Sequence, residues 1–163
     1  MKIYKYGDNV DTDVIIPARY LNITDPKHLA EHCMEDIDQD FSKTVKNGDV
    51  IIAGDNFGCG SSREHAVLAI KAAGVKCVIA KNFARIFFRN ALNTGLTIIE
   101  CESAVEALRE TDQIDIDVEK GEITRLSDKK VFKFQPYPDF LLNMIQNDGL
   151  INTTKKTINQ EAV

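Results

Sequence analysis

The chain has 163 residues, of which 44% are hydrophobic and 28% charged, and its net charge is −5 at pH 7. This composition is typical of one globular domain with a hydrophobic core. The mild acidity argues against a nucleic-acid-binding protein, no apolar run reaches the roughly 18 residues of a membrane span, and the N-terminus lacks a secretory signal. We expect a cytoplasmic protein that binds neither nucleic acid nor a membrane.

The early part of the chain predicts two strands and two helices. Residues 2–6 alternate between apolar and polar, as a half-buried strand does. Residues 14–16 are a short apolar run ended by a proline, and we interpret this run as a strand. The Asp-Pro pair at 25–26 is typical of a helix start. We expect that helix to continue to about residue 34 and a further short helix to follow residue 40.

The middle of the chain alternates apolar strands with helices. Strands are predicted at residues 50–53, 77–80 and 96–99, and helices at residues 61–73, 82–92 and 103–110. Residues 114–134 predict a small antiparallel meander, residues 139–146 a last helix, and residues 151–163 a polar, frayed tail. We therefore predict a single α/β domain over residues 1–150, with a mixed sheet flanked by helices.

Apart from one pair of histidines, the cysteines and histidines do not have the spacing that is typical of a metal site. The four cysteines are Cys33, Cys59, Cys77 and Cys101. They include no Cys-x-x-Cys pair, so we expect free thiols and no iron–sulfur cluster held by this chain. His28 and His32 have the spacing of two zinc ligands on one helical face, although a polar helix face is the interpretation we favour.

The most informative segment is a glycine-rich turn at residues 54–66, between a predicted strand and a predicted helix. Its glycines allow a ligand to approach the backbone closely. We expect Ser61 and Ser62 at the helix N-terminus, where free N–H groups favour anions. Arg63 adds a rigid donor fork for a carboxylate. The phosphate-loop, nucleophile-elbow and dinucleotide patterns do not fit, so we predict a dicarboxylate site, with an ordinary strand–helix turn as the alternative.

Two further polar clusters accompany this turn. Asp11, Thr12 and Asp13 precede Arg19, which we expect at the end of a strand, where ligands of α/β proteins bind. A plain surface arginine is the alternative. Arg85 lies on the predicted helix at residues 82–92, either supporting the site or simply on the helix surface.

These three segments resemble the swivelling domain of the aconitase superfamily. The similar stretches are residues 11–21, the signature at residues 56–66 and a third motif at residues 80–87. The resemblance covers about residues 1–150 and is strongest to the free-standing small subunits of 3-isopropylmalate dehydratases. It implies a β/β/α swivelling domain with a mixed sheet flanked by helices, as in the aconitase C-terminal domain.

The resemblance also implies a reaction. Enzymes of this superfamily dehydrate a 2- or 3-hydroxy dicarboxylate and rehydrate it with the hydroxyl group moved. A 4Fe-4S cluster in the large subunit binds the substrate, so this chain is expected to hold no cofactor itself and to act only with that large subunit. Self-association of the small subunit is a further option that the sequence leaves open.

Roles for individual residues follow from the same resemblance. Ser61 resembles the serine that removes the proton from carbon, Ser62 and Arg63 resemble the residues that grip a substrate carboxylate, and Arg19 resembles an additional substrate-binding arginine. The implied specificity loop consists of Tyr20, Leu21, Asn22, Ile23 and Thr24. The residues expected to support the site are Gly58, Cys59, Gly60, His65 and Arg85.

The substrate implied by the strongest resemblance is isopropylmalate, interconverted between its 2- and 3-isomers by a hydro-lyase of leucine biosynthesis. Citramalate or citraconate, dimethylmalate and homoaconitate are the alternatives. The loop at residues 20–24 carries no cation that would suit the extra carboxylate of homoaconitate. A non-enzymatic anion-binding or assembly module is the remaining hypothesis, and Ser61, Ser62 and Arg63 argue against it.

Overall fold

A four-stranded parallel sheet forms the centre of the structure, a computed structural model that describes residues 1–161. Its strands are β1 (Ile3–Lys5), β2 (Val50–Ile52), β3 (Cys77–Ala80) and β4 (Thr97–Glu100), side by side in that order. Tyr4 pairs with Ile51, which pairs in turn with Val78. Every residue of β2 and β3 is buried, as expected for parallel strands that are covered on both faces.

Eight α-helices and one 3₁₀-helix are formed within residues 1–161. They are α1 (Thr12–Ile15), the 3₁₀-helix (Ala18–Tyr20), α2 (Pro26–Glu31), α3 (Phe41–Thr44), α4 (Glu64–Ala72), α5 (Arg85–Thr94), α6 (Glu102–Ala107), α7 (Asp139–Gln146) and α8 (Leu150–Glu161). Asp25 caps α2 by accepting a hydrogen bond from the Lys27 N–H, as predicted. No helix in this part of the chain is both long and apolar enough to cross a membrane.

A second, antiparallel sheet covers one face of the parallel sheet. Its strands are β5 (Ile114–Asp117), β6 (Glu122–Arg125) and β7 (Val131–Lys133). Ile52 and Ile79 of the parallel sheet share an apolar cluster with Ile123 and Phe132 of this second sheet. Ile51 points the opposite way, into the cluster formed with helices α1, α2, α4 and α5. The molecule therefore has helix, sheet and sheet layers.

These layers confirm the predicted α/β class. The predicted meander at residues 114–134 is the antiparallel sheet. The parallel and antiparallel parts of the expected mixed sheet are two separate sheets, because the chain leaves the first through α6 before it begins the second.

The predicted strand at residues 14–16 is wrong. The chain forms α1 there, because the Asp11 side chain accepts a hydrogen bond from the Asp13 N–H at 2.7 Å and caps the first turn. Such a cap stabilises a helix by about 1 kcal/mol, which outweighs the weak strand preference of a short apolar run. Arg19 accordingly lies in the 3₁₀-helix that follows Pro17, and not at the end of a strand.

Two further expectations, about the start of α4 and about the C-terminal tail, are also corrected. Helix α4 begins at Glu64 with Arg63 in the N-cap position, so Ser61 and Ser62 lie in the loop before the helix. The expected frayed tail is wrong for α8, which packs against α5 and α7. Residues 162 and 163 of that tail lie outside the described part of the chain, and the domain boundary near residue 150 stays a prediction.

Candidate active site

The first motif and the signature segment lie side by side. Asp11 and Cys59 form an isolated parallel bridge. The Thr12 N–H donates to the Cys59 carbonyl at 2.8 Å, and the Gly58 N–H donates to the Val10 carbonyl at 2.8 Å. Backbone hydrogen bonds therefore fix the start of α1 against the glycine-rich turn.

The third motif closes the other side of the same turn. The Ala84 N–H donates to the Phe57 carbonyl at 2.9 Å, and the Phe57 N–H donates to the Asn82 carbonyl at 3.2 Å. The rings of Phe57 and Phe87 meet edge to face with centroids 5.2 Å apart. All three polar segments singled out in the sequence thus surround one turn.

Two glycines make this convergence sterically feasible. Gly58 has φ +77°, and a Cβ placed there would lie 2.2 Å from the ring of Phe87. Gly60 has φ +91°, and a Cβ there would lie 2.5 Å from the Asp11 carboxylate. Both positions combine a left-handed backbone with a close neighbour, so a side chain is excluded on two grounds.

Ser61 is held by a contact that the sequence reasoning did not foresee. The Thr12 side chain is buried, only 2% exposed. Its hydroxyl donates to the Ser61 carbonyl at 3.0 Å and lies 3.5 Å from the Ser61 Oγ. The Arg63 N–H donates to the same carbonyl at 2.8 Å. Ser61 and Ser62 are themselves exposed, so the backbone is fixed while the hydroxyl groups stay accessible.

Arg63 turns back toward α1. Its guanidinium forms an ion pair with Asp13 and donates to the Ile16 carbonyl at 3.4 Å. The Arg63 side chain is only 15% exposed, whereas Asp13 is 56% exposed. The acid that balances Arg63 is therefore the more accessible partner. The polar Asp-Thr-Asp triplet was a signal in the sequence, but its contacts with Ser61 and Arg63 depend on the fold.

Comparison with known proteins agrees with this geometry. The family model of the aconitase C-terminal domain matches residues 5–104. The 3-isopropylmalate dehydratase small subunit of Caldicellulosiruptor saccharolyticus is 56% identical over 161 residues, covering 99% of this chain and 93% of that protein. The chain belongs to this family of small subunits.

Further relatives have the same name and fold. The 3-isopropylmalate dehydratase small subunit of Clostridioides difficile is 58% identical over 153 residues, 94% of each chain. A crystal structure of 3-isopropylmalate dehydratase from Methanocaldococcus jannaschii superposes with a TM-score of 0.92 at 48% identity. That alignment covers 99% of this chain and 95% of the other, so the similarity includes the whole dehydratase small-subunit fold.

Arg19 of this dehydratase small subunit is separated from the signature turn in its contacts. It donates to Asp36 at 2.7 and 3.3 Å and forms an ion pair with Glu35. The hydrogen bond to Asp36, followed by the contacts with Tyr20 and Glu35, raises the pKa of Arg19. Among the described residues no hydrogen bond or ion pair joins Arg19 to Ser61, Ser62 or Arg63.

The expected specificity loop follows directly from the 3₁₀-helix. Tyr20 and Ile23 are partly buried and pack against the main apolar cluster. The Ile23 N–H donates to the Tyr20 carbonyl at 3.0 Å, which closes a tight turn. Asn22 and Thr24 are exposed, and Leu21 is partly buried. The loop therefore presents a mixed polar and apolar surface.

An open cleft of about 570 Å³ borders the signature turn. Its lining consists of Asn56, Gly58, Gly60, Phe83, Ala84, Arg85, Ile86 and Arg89. Arg85 and Arg89 are one helical turn apart and both exposed. Across residues 1–161 neither guanidinium forms a hydrogen bond or ion pair within this chain. Arg85 is thus placed at the edge of the site, as expected for a supporting residue, although its role stays a prediction.

The thiols of the small subunit are not arranged as metal ligands. Burial, followed by the charge of Asp11, raises the pKa of Cys59, so its thiol is neutral at physiological pH. Burial raises the pKa of Cys77 to about 12. Throughout residues 1–161 no three His, Cys, Asp or Glu side chains are grouped to hold a metal ion.

The two histidines with the spacing of zinc ligands each lie near a carboxylate. The His28 ring is 3.7 Å from Asp25, and the His32 ring is 2.9 Å from Glu35.

His65 is the remaining expected supporting residue. It lies in the first turn of α4 and is partly buried, two residues after Arg63. Its place beside the signature turn suits a packing role, which stays a prediction.

Proposed function

We propose that this chain is the small subunit of a cytoplasmic 3-isopropylmalate dehydratase, a hydro-lyase that interconverts 2- and 3-isopropylmalate in leucine biosynthesis. Relatives 54–59% identical over nearly the full chain bear that small-subunit name, which supports the assignment. The observation that carries the chemistry is the junction of α1 with the signature turn. There Thr12 contacts Ser61 and Asp13 contacts Arg63, so the backbone of Ser61 and the guanidinium of Arg63 are both held against α1.

Ser61 is proposed as the base that removes the proton from the substrate carbon. A serine hydroxyl is a weak base, and its alkoxide requires donors that are already in place. Helix α4 begins three residues later, so its N-terminus is not formed at Ser61 itself. The Thr12 hydroxyl lies within 3.5 Å of the Ser61 Oγ. We infer that it turns from the Ser61 carbonyl to the Oγ and stabilises the alkoxide form of Ser61 that accepts the proton.

Ser62 and Arg63 are proposed to hold a substrate carboxylate. Arginine stays protonated at every physiological pH, so it binds a carboxylate without competing for the proton. Asp13 balances the Arg63 charge when no substrate is bound. Because Asp13 is largely exposed, it can move aside when the substrate carboxylate takes over the guanidinium.

The cluster implied by the family does not fit this chain. Cys33, Cys77 and Cys101 are buried in the apolar interior and Cys59 is kept protonated, so no closely spaced thiolate set is available. We propose that a large subunit holds the 4Fe-4S cluster and completes the active site. The small subunit supplies the base and the carboxylate contacts.

The specificity loop supports an apolar substituent on the substrate. Ile23 and Tyr20 provide apolar surface, and residues 20–24 include no cation. A carboxylate-bearing substituent, as in homoaconitate, would be left without a counter-charge in this loop. Citramalate and dimethylmalate have small apolar substituents and are therefore the nearest competitors of isopropylmalate.

The test is reconstitution with a cluster-bearing large subunit and a panel of substrates. We expect turnover only when both chains are present and the highest kcat/KM with isopropylmalate. Citramalate and dimethylmalate are the matched smaller substrates, and homoaconitate is the acidic one. Preference for homoaconitate would contradict the proposed substrate, and activity of either chain alone would contradict the divided site.

A further inference from the structure

A closed set of contacts joins the 3₁₀-helix to the segment that follows α2. The rings of Tyr20 and His32 stack with centroids 3.8 Å apart and 8° between their planes. The His32 Nδ1 lies 2.9 Å from the Glu35 Oε2. The other Glu35 oxygen accepts from Arg19, whose guanidinium lies 4.8 Å from the centre of the Tyr20 ring. Asp36 adds a two-point contact to Arg19.

This network restrains the Arg19 side chain without using all of its donors. Arginine has five N–H donors, and the contacts to Glu35 and Asp36 use three, through Nη1 and Nη2. The Nε–H and one Nη1–H make no hydrogen bond within residues 1–161. Arg19 is 52% exposed, so without these partners the long side chain would sample many rotamers. The acids therefore hold an accessible arginine in one orientation.

Glu35 is the centre of the network. Although burial opposes ionisation, the contacts with Tyr20, His32 and Arg19 lower the pKa of Glu35, so the carboxylate is charged at neutral pH. It links the arginine to the imidazole, and the imidazole in turn supports the ring of Tyr20. His32, which the sequence offered as a zinc ligand or a polar surface residue, has a defined partner on each side.

We propose that Glu35 and His32 are positioning residues that orient Arg19 and Tyr20 for substrate recognition. The inference rests on the proposed function, together with the expectation from the family resemblance that Arg19 binds the substrate and that Tyr20 begins the specificity loop. Ion pairs of a half-exposed arginine contribute little to folding stability, whereas the orientation of a binding group strongly affects substrate binding. The network should therefore affect substrate recognition more than folding.

The test uses Glu35→Ala and His32→Phe in the small subunit, assayed with the large subunit. Glu35→Ala removes the contacts of Glu35 with Arg19 and with His32. His32→Phe keeps the stack on Tyr20 and loses only the hydrogen bond to Glu35. We expect Glu35→Ala to raise KM about tenfold, the effect of losing one charge-assisted hydrogen bond, and His32→Phe to raise it less. The kcat and the melting temperature should stay near wild type. Glu31→Ala, an exposed acid on α2, is the matched control.

A double variant tests whether Glu35 acts through Arg19. If it does, Glu35→Ala should have no further effect on KM in an Arg19→Ala background, since residues that act as a unit are not additive. Fully additive effects would overturn the inference, as would an unchanged KM in both single variants or a loss of melting temperature that accounts for the lost activity. Failure of the wild-type pair to convert isopropylmalate would instead overturn the proposed function.

Discussion

The two arginines proposed to bind substrate are held in opposite ways. Arg63 is largely buried, is anchored through its backbone to Ser61 and contacts Asp13 on a neighbouring helix. Arg19 is half exposed and is held by side chains alone, from Glu35 and Asp36. The backbone of the fold thus holds the signature turn in place. The orientation of Arg19 depends instead on neighbouring side chains, so substitution of those side chains can change it.

The largest effect on turnover is expected from substitution of Ser61, in the signature turn that the fold holds in place. Ser61→Ala removes the proposed base and should lower kcat about 10²–10⁴-fold, as loss of a positioned proton acceptor does. The folded state should be unaffected, because the Ser61 side chain is exposed and only its backbone is held. The measurement is steady-state turnover with the large subunit, with Ser103→Ala on α6 as the control. Near-wild-type turnover by Ser61→Ala would show that another group is the base.

A smaller effect is expected on the stability of the folded protein when a glycine of the same turn is replaced. Gly58→Ala places a Cβ against Phe87 in a left-handed backbone, and the strain and overpacking together should destabilise the protein by about 3 kcal/mol. Gly7→Ala is the matched control, because Gly7 has no neighbour within 4 Å of the added Cβ. Thermal unfolding of the isolated small subunit measures both. Equal melting temperatures for the two variants would contradict the fixed character of the signature turn.

The parts of the structure that the sequence predicted correctly are those with strong local signals. Strands β2 and β3 are continuous apolar runs buried on both faces, and the Asp25 cap with Pro26 marks the start of α2 unambiguously. The three motifs also lie side by side in the fold, and their roles in the site stay a prediction. Their grouping around one turn is consistent with the glycines at residues 58 and 60, which permit the close approach.

The parts that were not predicted depend on a local helix cap that was overlooked and on contacts between distant residues. The run at residues 14–16 is ambiguous between strand and helix until the Asp11 cap is weighed against it. Helix α4 begins at Glu64 with Arg63 as its N-cap, three residues later than the sequence predicted. The partners of Arg19 lie 16 and 17 residues later in the chain, and only the packing of α2 brings them to it.

The smallest of these effects is expected at Thr12, which connects the fixed turn to the base. Thr12→Val keeps the shape of the side chain but removes the hydroxyl that contacts the Ser61 carbonyl and approaches its Oγ. We expect kcat to fall about tenfold, the value of one hydrogen bond in the transition state, with KM little changed. Thr12→Ser restores the hydroxyl and should recover most of the activity, which separates orientation of Ser61 from simple packing. Equal losses in the Val and Ser variants would assign Thr12 to the core alone and leave Ser61 oriented by its backbone.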